Sequence, residues 1–215
     1  MPGPVMASAS VSFTAAPPRA LGRDGATPLT ERWQLKDGRS AILRAACGDD
    51  AGRMQALVRS LSPRTRYLRF FNPLCELPPA LLDTFTHADP REAMTLLAYL
   101  DIEGRETLIG IGQYFSEDYP AHCEFALLVA DGYQGEGLGS RLLKNLICIA
   151  VEAGIETMEG ELLGENLAMR HIAQANGFAL SRHPRETYLL QARKTLAPPP
   201  WKCSQLAASA RQAAR

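Results

Sequence analysis

The sequence has no surplus of charge of either sign, since its 215 residues carry 23 basic and 23 acidic side chains and its pI is near 6.9. Binding to nucleic acid or to an anionic membrane usually requires a basic surplus. The chain also lacks an apolar run of the roughly 18 residues that span a bilayer, and no signal-like hydrophobic stretch stands at its start. The sequence therefore predicts neither a membrane partner nor a nucleic-acid partner.

Clustered metal ligands and paired cysteines are also missing. The five cysteines form no CxxC pair and no Cys/His cluster at zinc spacing, and the four histidines share no ligand spacing. An odd, scattered set of cysteines is typical of reduced thiols in the cytoplasm. The composition, 46% apolar and 21% charged, is that of a globular protein. We expect a cytoplasmic monomer or homodimer without a disulfide framework and without a metal.

Two proline-rich segments set the limits of the predicted domain. Residues 1–30 contain five prolines among Ala, Ser and Gly, a composition that favours disorder. Three consecutive prolines at 198–200 end regular structure near the other terminus, and the residues after them are basic. We expect a disordered N-terminal segment over 1–30, one domain over 31–196, and a solvated, partly helical tail over 197–215.

The periodicity of apolar residues predicts groups of strands and helices. Asp37-Gly38 supplies a tight hairpin turn, and Ser62-Pro63 supplies an N-cap followed by the first residue of a helix. The predicted strands are 33–35, 41–43, 94–100, 107–115, 122–130, 157–163 and 187–192, and the predicted helices begin near 50, 62, 79, 138 and 166. Antiparallel strands followed by a late βαβ unit predict an α+β fold, with a mixed, mostly antiparallel sheet flanked by helices.

The segment that carries the chemistry is Asp131-Gly-Tyr-Gln-Gly-Glu-Gly-Leu-Gly-Ser-Arg-Leu-Leu143. A strand that ends at Ala130 passes through a glycine-rich turn into a helix, whose unpaired first amides and positive dipole end attract phosphate. A glycine-rich connection without a ligand is the alternative. No Gly-Lys-Ser/Thr follows, which excludes a Walker loop. A dinucleotide fingerprint is excluded because its third glycine position holds Ser140 and the turn follows a meander of strands.

The spacing Gln134-x-x-Gly137-x-Gly139 resembles the pyrophosphate loop of the GNAT superfamily of acyl-CoA-dependent N-acetyltransferases. The stretch from Asn166 to Gly177-Phe178 resembles the later Asn-helix-Gly-Phe segment of that superfamily. The resemblance covers residues 31 to 192. It implies a GNAT-like sheet with a splayed strand pair at the acyl-CoA site, acetyl-CoA as cosubstrate, no metal, and an amine acceptor.

Two further segments resemble the catalytic domains of bacterial protein-lysine acetyltransferases more narrowly. They are 61–71, LSPRTRYLRFF, and 160–166, GELLGEN. This likeness implies that the amine acceptor is a protein lysine, and a small-molecule amine is the alternative. Segment 61–71 also fits an ordinary helix with an aromatic core face, in which Arg64, Arg66 and Arg69 are solvated.

The resemblance assigns the cofactor to a strand end, the glycine loop and one asparagine. A backbone amide near Leu128 or Val129 would stabilise the tetrahedral oxyanion. Asn166 would cap its helix and contact the pantetheine arm. The implied cofactor-binding residues are Leu128, Val129, Gln134, Gly135, Glu136, Gly137, Leu138, Gly139, Ser140 and Asn166.

Glu124 is the candidate general base. A lysine-like amine with a pKa of about 10.4 is only roughly 0.04% neutral at pH 7, so transfer requires a proton acceptor. Partial burial raises the pKa of a carboxylate towards the range that this role needs. Glu124 is the lone acid before the apolar run Phe125–Val129, and the GNAT enzymes that it resembles use a glutamate on the corresponding strand. The alternative is an edge residue that faces water or a salt-bridge partner.

Other positions bear on the mechanism. Glu161 is either a second acidic group of the cleft or a structural partner, and Glu165 is expected to be solvated. Many GNAT enzymes place a tyrosine seven residues after the asparagine to protonate the leaving thiolate, but this position is Ala173 here. Tyr133 and Tyr188 are alternative donors. A thiol with a pKa of about 8.5 is also a tolerable leaving group without any acid.

The sequence therefore predicts an enzyme that moves an acetyl group from acetyl-CoA directly to a primary amine, with Glu124 as general base. An acyl-cysteine intermediate on Cys123 is not expected, because that side chain alternates to the opposite face of the strand. The alternative function is a regulatory module that binds acyl-CoA without turnover. Ala173 favours this alternative and Glu124 opposes it.

Overall fold

The computed structural model describes residues 30–35, 37–86 and 89–208. The predicted disordered segment 1–30 therefore lies outside the described residues, apart from Thr30. The strands are β1 (Thr30–Gln34), β2 (Ser40–Ala45), β3 (Ala93–Ile102), β4 (Arg105–Asp118), β5 (His122–Val129), β6 (Thr157–Leu163), β7 (Ala179–Arg182) and β8 (Leu189–Thr195). The α-helices are α1 (Ala51–Ser60), α2 (Pro63–Phe70), α3 (Pro79–Thr86), α4 (Leu138–Ala153) and α5 (Leu167–Ala175).

The strands form one sheet in the order β1-β2-β3-β4-β5-β6-β8-β7. All neighbours are antiparallel except β5 and β6, which run parallel because α4 connects them as a crossover helix. The predicted α+β class, with its mixed and mostly antiparallel sheet, is confirmed. In the part of the chain that the structure describes, no helix is long and apolar enough to cross a membrane.

The prediction differs from the structure at the edge of the sheet that β7 and β8 form. Strand β7 is absent from the prediction, because its sequence, Ala-Leu-Ser-Arg, has no buried side chain to mark it. The last strand is predicted over 187–192 but spans Leu189–Thr195, since its pairing with β6 continues as far as Thr195 opposite Thr157. The existence of β7 and the bounds of β8 both depend on pairing with neighbouring strands, which the local sequence does not reveal.

Helices cover both faces of the sheet. Helices α1 and α3 pack around Leu97, Tyr99 and Ile111 on one face, whereas α4 and α5 pack on the other. Helix α4 approaches the sheet closely because β4 has no side chain beneath it at Gly112, where an added Cβ would lie 3.1 Å from the Cβ of Leu142. The predicted amphipathic helix after the glycine loop is therefore part of the core.

Strands β5 and β6 separate after a short paired segment. They pair only at His122–Glu124 opposite Thr157–Glu159, and the next position would set Phe125 against Gly160. The ring of Phe125 lies over this glycine, since an added Cβ at Gly160 would be 2.6 Å from the Cε1 atom of Phe125. The same ring packs on Phe178, with 4.8 Å between the ring centroids. The predicted splayed pair is thus present, with Glu124 at its last paired position.

The segment after residue 200 corrects two expectations. Cys148 of α4 and Cys203 form a disulfide, with their Cα atoms 5.7 Å apart, so the prediction of reduced thiols is wrong for this pair. A solvated tail is also wrong for residues 201–208, because Leu206 and Ala207 are buried in the core. A separation of 55 residues between the two cysteines leaves no local spacing that would reveal them. The domain boundary at 196 stays a prediction.

The packing at Gly160 gives a test of the separated strands. We expect Gly160→Ala to lower the free energy of unfolding by about 1–3 kcal/mol, because the new methyl group displaces the ring of Phe125 from its contact with Phe178. Gly52→Ala in α1 is the control, since a Cβ there meets no atom within 4 Å. Urea unfolding measures both variants. Equal stability of Gly160→Ala and wild type would contradict this account.

Candidate active site

A cleft of about 390 Å³ opens where β5 and β6 separate. Glu124 and Glu161 reach it from the two strands, Arg69 reaches it from α2, and Asn166 and Met169 reach it from the start of α5. The remaining wall is mostly apolar and comes from the end of α2, the following loop and α3. The apolar lining residues of this wall include Leu68, Phe70, Phe71, Leu74, Leu81 and Phe85.

The glycine loop follows the end of β5, the strand that carries Glu124 into the cleft. Gly135 and Gly137 have φ values of 81° and 84°, in the left-handed region that favours glycine. Gly137 is the N-cap of α4, and no side chain caps the helix there. Glycine has no side chain that could occupy the first amides of α4, so these amides suit a phosphate site. A Cβ on Gly139 would be 2.9 Å from Ile172, so α5 packs directly against this helix.

Asp131 and Gln134 fasten the loop to α2. The carboxylate of Asp131 accepts hydrogen bonds from the Ser62 amide (2.8 Å), the Ser62 hydroxyl (2.7 Å) and the Thr65 hydroxyl (2.7 Å). The amide nitrogen of Gln134 donates to the Thr65 hydroxyl (3.2 Å) and to the Val129 carbonyl (3.1 Å). Burial alone would raise the pKa of Asp131, but these donors outweigh it and lower the pKa. Asp131 is therefore an ionised anchor.

The other predicted cofactor residues differ in which of their atoms can face a ligand. Leu128 and Leu138 are buried side chains, so only their backbone atoms can face a ligand. Ser140 accepts a hydrogen bond from the Asn176 side chain, 3.1 Å away. Asn166 caps α5 as predicted, since its side-chain oxygen accepts from the Met169 amide at 3.1 Å.

Val129 and Glu136 are half-buried. Of the two alternative proton donors, Tyr133 is half-buried and Tyr188 is 52% exposed. Ala173, on α5, is fully buried and carries no group that could donate a proton. Tyr133 and Tyr188 stay unassigned.

Glu124 combines access to the cleft with a perturbed pKa. Its side chain is exposed on the open side of the cleft, while protein surrounds it on the other sides. Burial by these neighbours raises the pKa of Glu124, and the negative charge of Glu161 raises it further. The guanidinium of Arg69 acts in the opposite direction. The carboxylate thus has the environment that a general base needs.

Glu161 lies on the same face of the sheet as Glu124 and is held by His183. The Nε2 atom of His183 is 3.0 Å from the carboxylate of Glu161. The Nδ1 atom accepts a hydrogen bond from the Glu186 amide at 2.9 Å, so the ring proton is assigned to Nε2 and points at Glu161. Both interpretations of Glu161 apply, because it is an acidic group of the cleft and a structural partner. Sequence reasoning missed His183, which no local spacing connects to Glu161.

Arg69 is half-buried and hydrogen-bonded, not fully solvated as the alternative interpretation of segment 61–71 expects. One Nη atom donates to the side-chain oxygen of Gln113 (3.1 Å), and Gln113, itself buried, donates to the Thr95 hydroxyl (3.3 Å). Burial lowers the pKa of Arg69 to about 10, against the opposing effect of Glu124. Among the described residues no carboxylate lies within 4.0 Å of this guanidinium. Its partner Gln113 lies on β4, so no local spacing in the sequence indicates this contact.

Comparisons with known proteins support the family resemblance. A model of the acetyltransferase (GNAT) family matches residues 60–178, more than half of the chain. The acetyltransferase PA5475 of Pseudomonas aeruginosa is 34% identical over 153 residues, which cover 71% of this chain and 82% of that protein. No cluster of three or more metal-binding side chains occurs among the described residues.

Solved structures share the fold. The GNAT domain of S. lividans PAT has a TM-score of 0.69 at 27% identity, covering 78% of this chain and 97% of that domain. YncA of Salmonella typhimurium, solved with its cofactor acetyl-CoA, has a TM-score of 0.56 at 16% identity, covering 75% and 97%, and shows the fold alone. Because the family model spans the glycine loop, the separated strands and Asn166, and the Pseudomonas relative agrees with it, the chain belongs to the GNAT family of acetyltransferases.

Proposed function

We propose that the protein transfers an acetyl group from acetyl-CoA directly to a primary amine, with a protein lysine as acceptor and Glu124 as general base. The observation that carries the proposal is the position of Glu124, the last paired residue before β5 and β6 separate. Glu124 lines the cleft as a proton acceptor, and at its other end the same strand leads into the glycine loop.

In this proposal the phosphates of acetyl-CoA bind the backbone from Gln134 to Ser140, because the uncapped amides of α4 face them. The pantetheine arm enters the gap between β5 and β6, where Asn166 lines the cleft. The thioester carbonyl then lies beside β5. A backbone amide at Leu128 or Val129 stabilises the oxyanion that forms there.

The transfer step needs a neutral amine. Glu124 takes a proton from the ammonium group, directly or through a water molecule, and becomes neutral. The amine nitrogen then attacks the thioester carbon, its lone pair forming the new C–N bond while the carbonyl oxygen becomes an oxyanion. Collapse of this tetrahedral species restores the carbonyl and breaks the C–S bond, releasing CoA as thiolate, and the second proton of the attacking nitrogen passes to the thiolate or to water. Ala173 carries no acid that could protonate the thiolate.

The charge and shape of the cleft support a cationic, aliphatic acceptor. Glu124 and Glu161 provide two carboxylates against the single guanidinium of Arg69, so a protonated amine is attracted. The apolar wall suits the methylene chain of a lysine. Tyr67 and Tyr188 are exposed large side chains near Glu161, on the rim where a polypeptide acceptor would lie. These observations support a protein lysine over a compact polar amine.

Acetyl-CoA turnover tests the function. Thiol release from acetyl-CoA is measured with lysine peptides, polyamines and amino acids as acceptors. We expect release with lysine peptides above the rate without acceptor. A protein that binds acetyl-CoA but releases no thiol with any acceptor would instead be the regulatory module that the loss of the tyrosine at Ala173 favours.

The phosphate loop gives the second prediction. We expect Gly137→Asp to lower the affinity for acetyl-CoA by at least about tenfold, because it adds a negative charge where the phosphates bind. Gly104→Asp is a matched control: Gly104 has a φ of 78°, close to the 84° of Gly137, and both positions are open. Both variants carry the same backbone strain, so calorimetric titration with CoA separates strain from phosphate repulsion. Equal affinities would refute the loop assignment.

The general base gives the third prediction. We expect Glu124→Gln to lower kcat by about 10²- to 10⁴-fold at pH 7, the usual contribution of a positioned base. The affinity for acetyl-CoA should change little, because the phosphates bind at the other end of β5. The loss should shrink as pH rises towards the pKa of the acceptor, where neutral amine becomes abundant. Glu117→Gln is the control, since this exposed carboxylate also faces Glu124. Full activity of Glu124→Gln at pH 7 would exclude the assignment and direct attention to Glu161.

The position of Arg69 gives the fourth prediction, on pH dependence. Glu124 is faced by Glu159 and Glu161 of β6, Glu117 of β4 and Arg69 of α2, the one cation of this set. A base acts when deprotonated, so kcat/KM falls as pH drops through the raised pKa of Glu124.

Arg69→Met removes the cation that lowers this pKa, so we expect the acid limb of the kcat/KM profile to move to higher pH by about one unit. Arg69→Lys keeps the charge and should move the limb less. Arg64→Met, on the exposed side of α2, serves as the control for loss of an arginine. An unchanged acid limb in folded Arg69→Met would show that Arg69 does not act on Glu124.

A further inference from the structure

A second cleft, of about 500 Å³, lies between β1, α4 and the segment 201–205. Arg141, Lys144 and Cys148 point into it from α4, at spacings that place them on one helix face. This face differs from those already used, because Leu142 packs on the sheet and Gly139 packs on α5. The second cleft is therefore on the side of α4 away from α5.

The wall formed by segment 201–205 is fastened in place. Cys203 is bonded to Cys148, and the Ser204 hydroxyl donates to the side-chain oxygen of Asn145. The ammonium of Lys144 lies 5.4 Å from the centroid of the Trp201 ring. These contacts hold Trp201 and the neighbouring Lys202 against α4. The second cleft therefore has fixed walls, which come from β1, α4 and the segment 201–205.

The second cleft concentrates positive charge in a chain that has no net charge. Four cations line it, namely Arg32, Arg141, Lys144 and Lys202, against the one carboxylate of Glu31. Glu31 is already paired with Arg141. Within the described ranges, the other three cations have no carboxylate partner within 4.0 Å. The second cleft therefore has a local surplus of three positive charges.

Polar atoms in the same walls also lack partners. The Nε atom of Arg141 and the Nε1 atom of Trp201 are buried and make no hydrogen bond in the part of the chain that the structure describes, and neither does Oε2 of Glu31. Buried donors without an acceptor are rare in folded proteins, because each loses its hydrogen bond to water without replacement. An acceptor-rich anion in the second cleft would neutralise the surplus cations and accept hydrogen bonds from the accessible N–H groups of their guanidinium and ammonium heads.

We propose that the second cleft binds a phosphorylated small molecule at a site separate from that of acyl-CoA. Phosphate fits better than a single carboxylate, because it carries more charge and more acceptor oxygens for guanidinium and ammonium groups. The volume lies within the range of small-molecule sites. This inference is independent of the catalytic role proposed for Glu124.

The experiment is calorimetric titration of sodium pyrophosphate into the full chain saturated with CoA, at ionic strength held constant with potassium chloride. CoA occupies the glycine loop, so remaining binding reports the second cleft. We expect saturable binding to wild type, weakened by about tenfold or more in the double variant Lys144→Glu, Lys202→Glu. Arg105→Glu is the control, because this exposed cation at the start of β4 is not part of the cleft, and its affinity should match wild type.

Two outcomes would overturn the proposal. One is the absence of pyrophosphate binding to CoA-saturated wild type; if binding then occurs when dephospho-CoA replaces CoA, the second cleft belongs to the ribose phosphate of the cosubstrate. The other is equal binding by wild type and the double variant. If the double variant does not fold, Lys202→Ala, which alters only an exposed side chain, is measured in its place. Failure of acetyl-CoA turnover would refute the proposed function but leave these outcomes unchanged.

Discussion

The packing of the Phe125 ring over the backbone of Gly160 is the contact on which the candidate site depends. It stands at the first position where β5 and β6 no longer pair. Without a side chain at residue 160 the ring occupies the space on the α5 side, and the opposite face of the two strands is left open. Glu124 and Glu161 meet on that open face. One aromatic contact thus separates a buried layer from an accessible cleft.

The electrostatics of the cleft follow from this arrangement. Burial raises the pKa of Glu124, and the negative charge of Glu161 on the neighbouring strand raises it further. Two polar contacts limit this effect. His183 donates to Glu161, and Arg69, held by Gln113, places a cation on the other side. The result is a carboxylate whose proton affinity is raised while the cleft as a whole stays attractive to an ammonium group.

The sequence revealed what was local and missed what depends on distant contacts. The glycine loop, Glu124 and the N-cap Asn166 could be predicted because strand, turn and helix signals adjoin one another in the chain. Arg69, His183 and the Cys148–Cys203 bond could not, since their partners lie in other elements. Strand β7 was missed for the same reason, because it is defined by its pairing with β8 and its own four residues carry no strand pattern.

The attachment of the glycine loop to α2 has a thermodynamic consequence. Asp131 and Gln134 bond to Ser62 and Thr65, and one helical turn after Thr65 the same helix presents Arg69 to the cleft. A ligand that shifted the loop would therefore also shift α2 and the guanidinium that it carries into the cleft. Linkage would make the relation mutual, so a ligand on α2 that held the helix in place would change the affinity of the loop by the same factor.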